Sequence, residues 1–144
     1  MNRAIAALVL MSIALPCAAA DTTWQFLRVR RDLNGAMSYV STTGTAKVSI
    51  DEARIHIDAF GSLGPKEPEL TFEGTIDESG AIRATATLMH TDALPYTVTG
   101  RMHSWTQVEN WAGRPKVVTF HEITFPFDPS FELYAFLSKE ARDQ

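Results

Sequence analysis

The sequence predicts an all-β fold, an antiparallel meander of about eight strands, with one helix at the C-terminus. Three observations carry this. Runs in which apolar and polar residues alternate recur along most of the chain, the period-2 pattern of half-buried strands. Brief segments rich in Gly, Asn and Asp separate them, the residues of tight turns. The last run switches to helical spacing. Short links between successive strands imply antiparallel neighbours. Eight such strands can close into a small barrel, and a two-sheet β-sandwich is the alternative.

The first strand is Thr23 to Leu33, TWQFLRVRRDL, rich in aromatic and β-branched residues. Asn34-Gly35 follows, a strong hairpin signal because both residues tolerate positive φ. Ala36 to Thr42 returns, Thr43-Gly44 reads as a turn, and Thr45 to Ile50 places Ala46, Val48 and Ile50 on one face. Ala53 to Phe60 places Ile55 and Ile57 together. GSLGPKEP, Gly61 to Pro68, is a loop by composition. Leu70 to Ile76 and Ala81 to His90 form the next hairpin, turned by Asp77-Glu78-Ser79-Gly80 with Gly80 in the left-handed position. Pro95 to Trp105 puts Tyr96, Val98, Gly100 and Met102 on one face. Gln107 to Lys116 reads as a longer connection, and Val117 to Phe125 as the last strand. Asp128 then caps a helix over 129–142, with Pro129 at its first position and Leu133, Phe136, Leu137 and Glu140 at i, i+3, i+4 and i+7.

The N-terminus carries the three parts of a secretory signal: Arg3, an uncharged apolar run from Ala4 to Leu15, and Ala18-Ala19-Ala20 after Pro16. The run is too short to span a bilayer, and no later stretch is long enough. Residues 1–20 are thus expected to be cleaved, leaving 21–144 as one periplasmic or extracellular domain. Cys17 would suit lipid attachment, but Pro16 beside it and the displaced Leu15 argue against processing there. Cleavage removes the one cysteine, so disulfides and thiol catalysis are excluded from the mature chain. Removing Arg3 leaves 12 basic against 17 acidic residues, a net charge of −5 with His neutral. The interspersed, acidic balance argues against nucleic acid or an anionic membrane surface as partner.

In architecture the outline resembles lipocalin-like barrels. The Gly-x-Trp signature of that family is absent, since Thr22-Thr23-Trp24 stands at the first strand, and no family membership follows. No nucleophile elbow, phosphate loop, zinc-protease motif or dinucleotide fingerprint occurs. His56-x-Asp58 puts two polar side chains on one strand face opposite Ile55 and Ile57. This is a weak metal signal, read as two solvated side chains. No metal or cofactor is expected. His121 and Glu122 are adjacent and must face opposite sides of a strand. Alternation leaves open which of them is inside.

The small inward residues Ala84, Ala86 and Gly100 suggest internal space. The leading expectation is therefore a non-catalytic protein holding a small apolar or amphipathic ligand, with Phe72, Leu88, Tyr96, Val98 and Met102 as walls and His90 as a polar group at the mouth. The alternative is a module that binds an envelope or extracellular protein through a Trp105–Lys116 loop, with Trp105, Trp111 and Arg114 as anchors. A third reading is a hydrolase in which His121, Glu122 or His90 meets a second titratable group in a polar cleft.

Overall fold

The computed structural model describes residues 23–143 except 33, 36 and 128–130. The expected signal segment lies outside the described residues, as do Asp128 and Pro129. The described chain forms eight strands: β1 (Thr23–Arg31), β2 (Ser38–Asp51), β3 (Arg54–Phe60), β4 (Leu70–Ile76), β5 (Ala81–Leu88), β6 (Tyr96–Trp111), β7 (Arg114–Phe125) and β8 (Glu132–Asp143). Each pairs antiparallel with the next, and β8 pairs back onto β1 from Gln25↔Leu137 to Arg30↔Glu132. The all-β meander is therefore a closed barrel and not a sandwich.

Three expected elements differ. Residues 36–50 make no turn at Thr43-Gly44, because β2 runs straight through it. Gly44 serves close backbone approach instead: a Cβ there would lie 1.9 Å from the Phe60 carbonyl oxygen. The helix over 129–142 is corrected to strand β8 from Glu132 onward. The segment fits both periods, since Tyr134, Phe136 and Ser138 alternate with Leu133, Ala135 and Leu137. The otherwise open edges of β1 and β7 settle the choice, because β8 hydrogen-bonds to both. Finally, the Trp105–Lys116 loop is the tip of a continuous β6–β7 hairpin paired out to Trp111↔Arg114. Ala112 and Gly113 make its two-residue turn with φ of 53° and 83°, as a primed turn requires. The predicted turn at Asp77 is present: its Oδ1 accepts from the Ser79 and Ala81 amides at 2.9 and 3.0 Å, and Gly80 has φ 90°.

The barrel interior is filled at its middle by aromatic rings. Phe72 stacks on Phe125 at 4.8 Å and meets Tyr134 and Phe136 edge-on at 5.3 and 5.6 Å, while Phe26 stacks on Phe136 at 5.3 Å. The small residues opposite make room for these rings. A Cβ on Gly100 would lie 2.6 Å from the Phe125 ring, and one on Gly74 would lie 2.0 Å from the Arg83 carbonyl. Outside, β4 to β6 carry Thr71, Glu73, Thr75, Arg83, Thr97 and Arg101. Over β4 to β6 the barrel is therefore apolar within and polar without, whereas the outer faces of β1, β7 and β8 carry Leu27, Phe120, Leu133, Ala135 and Leu137.

Each buried Phe contributes about 1.5–3 kcal/mol by burial alone. Phe72→Ala removes the ring against which three others pack, so a loss of about 3–5 kcal/mol is expected in urea unfolding.

Candidate functional site

The two ends of the barrel differ in chemistry. At one end, Arg28 follows Trp24 and Phe26 on the inward face of β1. Its Nη1 donates to Glu69 Oε2 at 2.9 Å and its Nη2 to Glu132 Oε1 at 2.8 Å, and its Nε also donates to Glu132. Arg28 is 15 % exposed and Glu69 6 %. The Glu69 carboxylate also accepts from the Ser62 amide at 2.8 Å, which folds the Gly61–Pro68 loop across this end. Beside it, the Tyr96 and Tyr134 hydroxyls meet at 2.5 Å. Hydrogen bonding to Glu132 raises the Arg28 pKa against its burial. Burial alone would raise the Glu132 carboxyl, but the Arg28 and Arg30 guanidinium groups hold it below the usual carboxylate range. Burial, then the bond to Tyr96, pushes the Tyr134 hydroxyl up.

The other end opens into a recess of about 1750 Å³. Its floor is apolar, made by Ile50, Ile76, Ile82 and Met102. One wall is polar: Ser104, Thr119, His121, Glu140 and Arg142 project from β6, β7 and β8. The hairpin turns opposite add Glu52, Asp77 and Glu78, and Arg83 reaches the rim from the outer face of β5. The three wall strands continue past the end of β5, whose pairing with β6 stops at Ala81↔Arg101. They form a ribbon whose inner face extends the recess.

His121 is the inward member of the His121-Glu122 pair. Its Nδ1 lies 2.7 Å from Ser104 Oγ and its Nε2 3.8 Å from Glu140 Oε2. Burial lowers its pKa below the ordinary value, and the Glu140 charge opposes that only in part. Glu122 points outward with Val118 and Phe120. His90 is an exposed turn residue just past the end of β5, with φ 60°, paired with Glu67 at 3.2 Å.

Of the other side chains expected to wall a cavity, Met102 lines the recess. Phe72 and Val98 belong to the packed core, and Leu88 and Tyr96 pack against its margin. Trp105 and Trp111 lie on the outer face of the ribbon. Trp105 stacks between His103 at 5.3 Å and Phe120 at 5.0 Å. Trp111 is 41 % exposed, donates to Glu109 at 2.8 Å and lies beneath Lys139. Arg114 opens β7 at the ribbon's tip. His56 bridges Glu73 at 2.6 Å and Asp58 at 2.8 Å on the outside of β3 and β4. These bonds raise its pKa although burial opposes them. Because each ring nitrogen serves a different carboxylate, this is a hydrogen-bonded bridge. No group of three or more metal-binding side chains converges among the described residues.

Reading from sequence missed Arg28, Glu69 and Glu132, and it missed Ser104 and Glu140 as neighbours of His121. Two parity signals were present. Arg28 continues the inward series Trp24, Phe26, and Ser104 continues Val98, Gly100, Met102. Glu140 was hidden by the helical reading of its strand.

Arg28→Met should cost about 3 kcal/mol by taking the shared cation from Glu69 and Glu132, toward the low end for a buried pair because Glu132 keeps Arg30 and some exposure. The depressed Glu132 pKa gives a pH signature. Its contribution is present above the ordinary value of 4.5 and is lost as pH falls through the lower folded value. Unfolding free energy measured across that window should fall steeply in the wild type and more gently in Arg28→Met.

Compared with known proteins, the chain matches no protein-family model and no curated protein.

Proposed function

We propose that the protein is exported and holds a small apolar or amphipathic ligand in the open end of its barrel. One observation carries this reading: the barrel is packed solid at its middle and bridged by charges at one end, yet the other end keeps an apolar floor beneath a polar wall. Pockets for small molecules combine these two features, apolar area for affinity and a few polar groups for orientation. Filling the floor with one more aliphatic side chain would bury more apolar surface, at about 25 cal/mol per Å². The chain leaves it open. Export is supported by the charged, apolar and small-residue segments of residues 1–20.

Native mass spectrometry of protein recovered from the envelope or medium tests both parts. The expected mass is that of a chain beginning at Asp21, with a small molecule bound. An intact N-terminus would overturn export. Met102→Glu places a charge on the floor and should weaken binding of the co-purified molecule, or of an environment-sensitive apolar dye, by at least about tenfold. Unchanged dye affinity in this variant would overturn the recess as the site.

A second reading follows from the projecting ribbon. Its outer face presents Trp111, and Arg114 stands at its tip, a residue pair suited to anchoring an envelope or extracellular protein. The Trp111→Ala/Arg114→Ala double variant should fold normally and lose partner capture. Undiminished capture by the folded variant would remove the ribbon from consideration.

A further inference from the structure

His121 stands where the apolar floor of the recess gives way to its polar wall. Its surroundings order the ring on three sides. Ser104 Oγ is 2.7 Å from Nδ1, Glu140 Oε2 is 3.8 Å from Nε2, and the Trp24 ring centroid lies 6.1 Å away at a tilt of 32°. The three polar groups come from three adjacent strands, and all three line the recess. The Glu140 carboxylate lies on the Nε2 side of the ring, the side that carries the proton in the tautomer the mechanism needs. That tautomer leaves the Nδ1 lone pair to accept the Ser104 hydroxyl proton. A hydroxyl, a base within hydrogen-bond reach and a carboxylate that orients the base make up an activated nucleophile.

Two further observations separate this row from an ordinary surface hydrogen bond. Ser104 is exposed at the recess while His121 is largely buried, so the hydroxyl is accessible and its base is shielded. Ser138, opposite His121 in the β7–β8 register, is 2 % exposed, and its hydroxyl has no hydrogen-bond partner among the described residues. An unmet buried hydroxyl costs about 1–3 kcal/mol. That cost falls beside the histidine and not in the aromatic middle of the barrel.

We propose that Ser104, His121 and Glu140 form an acyl-transfer centre that hydrolyses neutral carboxylic esters. This rests on the recess as the binding site: the apolar part of the ester seats on Ile50, Ile76, Ile82 and Met102, and its carbonyl faces Ser104. Charge at the rim selects against anionic substrates, because Glu52, Asp77, Glu78 and Glu140 outnumber Arg83 and Arg142.

Ser104 Oγ attacks the carbonyl carbon and its proton passes to His121 Nδ1. The carbonyl π pair moves to oxygen, where Thr119 and Arg142 are donors on the same wall of the recess. As the pair returns, the ester C–O bond breaks and the alkoxide takes the proton from His121 as the alcohol leaves. Water then attacks the acyl-serine and gives a proton to His121. Collapse releases the carboxylic acid and returns that proton to Ser104. The reaction consumes one ester and one water and needs no other reactant. Glu140 acts as a positioning residue, through the ring.

The experiment uses purified wild-type protein with a neutral p-nitrophenyl ester of a short aliphatic acid and, separately, an alkyl fluorophosphonate. Hydrolysis above the buffer rate is expected, together with a single covalent mass addition mapped to Ser104. Ser104→Ala should abolish both, and His121→Gln should lower the rate by at least about 100-fold. Because the base must be neutral, the wild-type rate should fall only at acidic pH, below the ordinary histidine value. The charged groups facing His121 are Glu140 and Arg142 on β8, with Glu52, Asp77 and Glu78 across the recess. Of these, the Glu140 charge raises the ring's pKa, so Glu140→Gln should move the acid limb to lower pH, a shift that a purely structural role would not produce. Wild-type turnover at the buffer rate, or equal turnover by Ser104→Ala, overturns the proposal. An apolar dye titrated into wild type and Ser104→Ala separates the two readings. Retained dye binding without turnover overturns hydrolysis alone, and loss of both overturns the recess as well.

Discussion

The structure depends on one pairing, that of β8 with β1. An eight-stranded meander has two free edges, and each carries unpaired amides and carbonyls that must find partners or be blocked. Here the terminal segment hydrogen-bonds to β7 along one edge and to β1 along the other, so the sheet has no gap over that length. Closure creates the interior. It brings Glu132 to Arg28, 104 positions apart in sequence, while the β7–β8 pairing of the same segment sets Glu140 beside His121 at the other end. A helix in the same place would have supplied none of these groups in these positions.

Closure also explains why the two ends could diverge. The six large rings at the middle, Trp24, Phe26, Phe72, Phe125, Tyr134 and Phe136, fill the cross-section and separate the ends. Beyond them on one side, Arg28 is committed to two carboxylates, and a loop carrying Ser62 is tied to the same cluster. That end is organised by charges that stabilise one another away from water. On the other side the strands β6, β7 and β8 overrun their neighbours and form a wall without a facing wall. Its inner surface is polar while the floor is aliphatic, and the recess takes its amphipathic character from that asymmetry.

Much of the fold was legible because alternation reports burial directly. The inward parity of Ala46, Val48, Ile55, Ile57, Phe72 and Val98 is visible in the chain and is the parity of the core. The count of eight strands came out right through two compensating differences. The Thr43-Gly44 turn dissolves into one long β2, and the terminal helix becomes β8. Both errors have the same origin. Gly44 and the Leu133–Glu140 spacing are locally ambiguous, and the contacts that decide them, with the Phe60 carbonyl and with the β1 edge, are distant in sequence. The site was less legible. Parity showed that His121 and Glu122 oppose each other, but only the inward placement of Ile123 and Phe125 shows which of the two enters the barrel.

By itself, then, the sequence determined the strand class, most strand faces, the Asp77–Gly80 turn and an apolar inward set large enough for a core. These follow from properties of single residues and their near neighbours: side-chain period, φ tolerance and hydropathy. Tertiary structure decided everything that requires two distant segments to meet: barrel closure, the packing of small residues beneath rings, and the ribbon that replaces a loop. It also set Arg28 between Glu69 and Glu132, and His121 between Ser104 and Glu140. The physical reason is that hydrogen-bond ladders and buried charges are satisfied by whichever partner the closed sheet brings near, and local pattern carries no record of that partner.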